Sequence, residues 1–176
     1  MKAHKLILIF VCLLPVTLLA QKKASSAGYT TAIGIRGGST SGVTIKHFNS
    51  GSTAIEGIIG VSGAWNQRLS LTGLFEKYTS PFNEKGLYLY YGGGAHVATY
   101  RNGFYADGFY GKNKYNAVYY NESVVGIGVN GMLGIEYKIQ SIPVALNLDV
   151  KPFLELNTRG GAGVALDPGL GIKFTF

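Results

Sequence analysis

Three groups of side chains in this sequence have reactive potential, and their spacing decides which chemistry each could support. The first is a set of ionisable residues, Glu56, Glu76, Glu136, Asp149, Lys151, Glu155 and Lys173. Paired carboxylates can serve as general acid and base, but carboxylates beside ammonium groups can equally form structural ion pairs. The second group is the histidines. His47 and His96 are far apart, with no cysteine nearby and no His-Glu-x-x-His spacing, so no metal site is predicted. The third group consists of motif fragments. Gly126-x-Gly128-x-x-Gly131 matches the dinucleotide fingerprint, which requires a strand, a tight turn and a helix, whereas strand-like alternation runs straight through it here. Ser62 and Ser70 lack the Gly-x-Ser-x-Gly elbow of hydrolases, and the sequon Asn121-Glu-Ser123 is assigned no role. Neither a catalytic residue nor a cofactor is predicted.

The elements that position these residues alternate with period two. Apolar residues take most odd positions from Val125 to Ile139, the even positions from Val144 to Leu156, and then Leu170, Ile172, Phe174 and Phe176. Such alternation defines strands with one apolar face. Weaker versions run over 29–37, 42–49, 53–63, 69–79 and 87–101, separated by turn-forming stretches such as Gly-Gly-Ser-Thr-Ser-Gly and Ser-Pro-Phe-Asn-Glu-Lys-Gly. Eight strands result. With 26 Gly in 176 residues, the composition also argues against a helical bundle.

Residues 1–20 are expected to lie outside this fold. Lys2 and Lys5 precede a 15-residue apolar run that ends in Ala20, the pattern of a signal peptide cut between Ala20 and Gln21. The run is shorter than the roughly 20 residues that span a bilayer as a helix, and Pro15 interrupts it. Cleavage lowers the net charge from +7 to +5 and removes Cys12, the single cysteine, so disulfide and thiolate chemistry are excluded from residues 21–176. Val11 before Cys12 makes a lipid anchor there unexpected.

Long strands with one apolar and one polar face can close into a barrel with the apolar face inward, in water, or outward, in lipid. The polar faces favour the second arrangement, because they mix glycine with a few charges instead of presenting a dense solvated surface. The seven ionisable residues are accordingly read as an ion network in the lumen. Gly92, Gly94, Gly126, Gly128 and Gly134 would leave room there for Tyr88, Tyr90 and Glu136. Breaks at 38–41, 64–68, 102–123 and 157–168 are expected at one end, outside the cell, and breaks at 50–52, 80–86 and 140–143 at the other. This puts the two longest connections outside, as in outer-membrane barrels. Tyr29, Phe75, Tyr137, Phe174 and Phe176 are expected to form one interfacial girdle. Pro152, inside the seventh strand, predicts a local bulge.

The segment from 102 to 123 carries Phe104, Tyr105, Phe109, Tyr110, Lys112, Lys114 and Tyr115. Two readings compete. The fifth and sixth strands could extend as a Tyr-rich hairpin whose cations meet lipopolysaccharide phosphates. Alternatively the tyrosines form a recognition surface for an extracellular partner. The first is favoured, because exposed aromatics mark a binding site only when contiguous. Interleaved aromatic and basic residues also suit single-stranded nucleic acid, but secretion and a charge of only +5 argue against it.

The chain resembles the small outer-membrane β-barrel proteins of Gram-negative bacteria, in particular those like the Bacteroidota proteins. The resemblance covers most of residues 21–176. It rests on Tyr91 to Val97, Gly128 to Lys138, Ile142 to Pro152 and the closing Gly-Ile-Lys-Phe-Thr-Phe. It implies an all-β, eight-stranded, antiparallel, up-and-down transmembrane β-barrel in the cell outer membrane. Leu170, Ile172, Phe174 and Phe176 would then form the assembly signal read by the barrel-assembly machinery, and lipid and lipopolysaccharide would be partners. A structural or surface-interaction role is expected, not catalysis. Three alternatives stand beside it: a narrow solute or ion channel, a lipid-modifying enzyme, and a soluble secreted lipid-binding barrel. The enzyme is disfavoured because His47 falls near the periplasmic end of its strand and His96 lies mid-strand with lumen parity.

Overall fold

The computed structural model describes residues 27–62, 67–82, 84–100, 105–106, 117–118, 124–158 and 161–176. The expected cleavage site between Ala20 and Gln21 lies outside them. The described residues form ten strands and no helix: β1 (Thr31–Gly38), β2 (Ser41–Ser50), β3 (Thr53–Ser62), β4 (Gln67–Thr79), β5 (Leu87–Tyr100), β6 (Tyr105–Ala106), β7 (Ala117–Val118), β8 (Val124–Ile139), β9 (Val144–Asn157) and β10 (Ala162–Thr175). Eight of them close a barrel in the order β1-β2-β3-β4-β5-β8-β9-β10, with every neighbouring pair antiparallel. The strands β6 and β7 pair only with each other, Tyr105 opposite Val118.

Closure is made by the first and last strands. Ala32 stands opposite Thr175 and Gly38 opposite Gly169, and the Phe176 carbonyl accepts hydrogen bonds from the Thr30 and Thr31 amides at 3.1 and 2.8 Å. The barrel sheet itself is left with no edge to template further pairing. Following the registers once around the barrel returns to the first strand about ten residues away from the starting point, the stagger that goes with tilted strands.

Side-chain direction follows the period-two pattern. Ile35, Ile45, Ile59, Leu71, Ile127, Ile135, Leu148, Leu156, Leu170 and Phe174 all face outward and are 41% exposed or more. Their neighbours face the lumen, where Lys46, Glu76, Glu136, Asp167 and Lys173 are essentially inaccessible. Inward glycines let the walls approach what they enclose. A Cβ on Gly134 would stand 2.4 Å from the Tyr90 ring, and one on Gly126 would stand 2.4 Å from the Glu155 carboxylate.

The structure corrects four sequence expectations. The break assigned to 157–168 is only 158–161, because β9 runs to Asn157 and β10 begins at Ala162. Pro168 lies beside the end of β1, where its carbonyl accepts from the Ser39 amide at 3.2 Å and the Ser39 carbonyl, which a proline nitrogen cannot serve, accepts from the Ser62 hydroxyl instead. One long connection, 101–123, therefore distinguishes the two ends, not two. Pro152 makes no bulge. Pairing of β8 with β9 skips Gly131 and Met132, then resumes in the same register from Leu133 opposite Val150, and the proline ring stands outward beside Gly131. Finally, Tyr29 does not join an outer girdle. It is buried in the lumen, whereas Phe75, Tyr137, Phe174 and Phe176 face outward.

Candidate functional site: a polar lumen

Alternation requires every second residue of eight strands to share one narrow space, so charges brought there can persist only if they satisfy one another. Two networks do this. The one nearer the short turns 51–52, 80–86 and 140–143 is centred on Lys46 of β2. Its ammonium lies 2.7 Å from Glu56, 2.8 Å from Glu76 and 3.8 Å from Glu136. It also donates to the Tyr78 hydroxyl at 2.5 Å and stands 4.3 Å from the centre of the Tyr90 ring. Glu56 is shared, since Lys173 of β10 approaches its other oxygen at 2.9 Å and Thr44 donates to it.

Glu136 is held mainly by phenols: Tyr29 donates to it at 2.6 Å and Tyr78 at 3.0 Å. Tyr29 therefore acts as a stopper at the short-turn end. Its ring meets Phe48 edge-on, Phe48 meets Tyr78, and Tyr78 stacks on Tyr90 at 5.2 Å. Two ammonium groups and three carboxylates are thus packed with four aromatic rings.

The second network lies nearer the 101–123 end. The guanidinium of Arg36 binds the Asp149 carboxylate at 2.7 and 3.1 Å and Asp167 at 3.2 Å, and Lys151 meets the far oxygen of Asp167 at 3.1 Å. Arg36 also donates to the Thr40 and Asp167 carbonyls, so its planar donors are largely used. Beside it, Glu155 accepts from Tyr100 at 2.5 Å and meets Nε2 of His96 at 2.8 Å, while Nδ1 of His96 meets Asn130 at 2.7 Å. Asp149 accepts from Asn147 at 2.8 Å and from Tyr90 at 3.3 Å, and Tyr90 is also the ring over Lys46. Tyr90 thereby joins the two networks.

All seven predicted lumen residues are buried inside the barrel. Glu56, Glu76, Glu136 and Lys173 gather in the first network, and Asp149, Lys151 and Glu155 in the second. Sequence reasoning did not single out Lys46, Arg36 and Asp167, the residues on which both networks turn. Parity would have found the first two, since Ile45 and Ile35 face outward. Asp167 was hidden in the segment read as a loop.

Leu170, Ile172, Phe174 and Phe176 form an exposed outer stripe on the last strand, with the two phenylalanine rings 6.1 Å apart. Phe104, Phe109, Tyr110, Lys112, Lys114 and Tyr115, and the side chain of Tyr105, lie outside the described residues.

These features define a class: a closed, eight-stranded antiparallel barrel with ion pairs inside and apolar side chains outside. No family model matches the chain, and no curated protein or solved structure matches it.

Proposed function

We propose that this is an integral outer-membrane β-barrel with a side-chain-filled lumen, serving a structural or surface-interaction role and carrying out no catalysis. The single observation behind this reading is the inversion of polarity. Large apolar side chains on the outer faces of all eight barrel strands are 40 to 66% exposed, while the described charged side chains of the same strands, apart from Lys77 and Lys138 near the short-turn end, are buried. A monomer in water rarely exposes a contiguous apolar patch of more than a few hundred Å². In a bilayer such a surface is required, and a closed barrel is one of the two architectures that satisfy every backbone polar group there. The soluble lipid-carrying alternative needs Leu146, Leu148 and Leu154 to face inward, and all three face outward.

On this reading residues 1–20 direct secretion and are removed, and β10 with Phe176 engages the barrel-assembly machinery. The outer stripe contacts lipid, and the 101–123 connection faces lipopolysaccharide or an extracellular partner. The test is refolding of residues 21–176 in detergent, followed by gel electrophoresis with and without boiling. A mobility shift on boiling is expected, because closed membrane barrels resist SDS until heated. A protein that stays soluble without detergent and shows no shift would overturn the proposal.

A further inference from the structure

Between the two halves of the second network the lumen holds a small cavity of about 10 Å³, lined in part by Thr40, Ser70, Thr72, His96, Asn130 and Lys151. Two side-chain atoms at its wall have no hydrogen-bond partner among the described residues, Oγ1 of Thr72 and Nδ2 of Asn130. Both residues are more than nine-tenths buried, at 2% and 7% exposure. Orphaned polar atoms of this kind are destabilising and call for a partner. The nearby Lys151 ammonium has three donor hydrogens and one carboxylate partner, Asp167 at 3.1 Å.

We propose that this cavity is a binding site for one ordered water molecule, held by Thr72, Asn130 and Lys151. The volume is about that of one water, which needs roughly 10 Å³ and two to four polar partners. The chemistry of the donors agrees. The lining residues supply an amide N–H and an ammonium, both of which require an acceptor oxygen, while the Thr72 hydroxyl can donate or accept.

Local charge selects water over an ion. Arg36 and Lys151 are matched by Asp149 and Asp167, and Glu155 faces His96, so among the described residues no unbalanced cation remains to hold an anion. A bound cation would face the Lys151 ammonium. The water would connect the Tyr100–Glu155–His96–Asn130 chain on β5, β8 and β9 to the Lys151–Asp167–Arg36 group on β9, β10 and β1. Through Thr72 it would also tie in β4. The inference does not depend on what surrounds the outer face.

The experiment is a high-resolution crystal structure of the detergent-refolded protein, grown once with chloride and once with bromide. The expected result is one oxygen-sized peak within hydrogen-bond distance of Thr72 Oγ1, Asn130 Nδ2 and Lys151 Nζ, with no anomalous bromide signal. An empty cavity, a bromide signal, or a direct Thr72–Asn130 bond would each overturn it. Thr72→Val keeps the shape while removing a partner. It should still give the heat-dependent mobility shift but lose at least half of the peak's occupancy, and an undiminished peak would contradict the assignment of Thr72.

Discussion

Leu148 and Asp149 are neighbours in β9, yet the leucine is 56% exposed on the outer wall while the aspartate is enclosed with Arg36, Asn147 and Tyr90. The contrast repeats around the barrel. Outside, the side chains are interchangeable in kind, and each does its work by being apolar. Inside, the charged side chains of the two networks have specified partners, so a single change among them leaves another group uncompensated. The two faces should therefore respond to substitution by different rules, one set by surroundings and the other by pairing.

The largest effect is expected at the hub of the inner face. Lys46→Met takes from Glu76 its ion-pair partner and leaves Glu56 with Lys173 and Thr44 and Glu136 with its two phenols, and loss of one partner from a buried ion pair costs about 3–5 kcal/mol. Urea titration of the barrel folded into lipid vesicles measures this. The double variant Lys46→Met with Glu76→Gln should recover part of the loss, which no outer-face pair would do. On the outer face, Leu148→Arg should cost about 2–4 kcal/mol in vesicles if the residue lies near the bilayer midplane, with a smaller cost toward either interface. The contrast would break if that variant were as stable as the parent.

Smaller effects sharpen the picture. Tyr29→Phe removes one of two phenol donors from Glu136, and hydrogen bonds to charged groups contribute about 1.5–3 kcal/mol. Glycines provide the finest comparison. Gly134→Val pushes into the Tyr90 ring and should cost about 1–3 kcal/mol by overpacking, while Gly73→Ala, with nothing within 4 Å of its new Cβ, should be neutral within about 0.5 kcal/mol in the same titration.

The comparison of faces also explains what could be read in the sequence. Strands β8 and β9 were legible because Ile127, Val129, Leu133 and Ile135, and then Leu146, Leu148, Val150 and Leu154, keep one parity, broken only by Gly131 and Pro152. The lumen carboxylates followed from the same parity. The start of β10 was not legible, since Asp167, Pro168 and Gly169 are turn-forming types; they are tolerated because β1 ends alongside them and Asp167 is claimed by Arg36 and Lys151. Tyr29 looked like an interface residue because it opens an alternating segment. Its inward course is set by a partner, Glu136, that lies 107 residues away in the sequence. Pairings of that range arise from register around the closed barrel, to which a local pattern is blind.

The central claim is that lipid surrounds the outer wall. It is tested most directly by spin labels placed one at a time along residues 145–156 of β9, in vesicles, with oxygen and a water-soluble nickel complex as competing relaxants. The account predicts period-two alternation, with Leu146, Leu148, Leu154 and Leu156 accessible to oxygen and shielded from nickel, and the intervening positions shielded from both. Outer positions more accessible to nickel than to oxygen would contradict it.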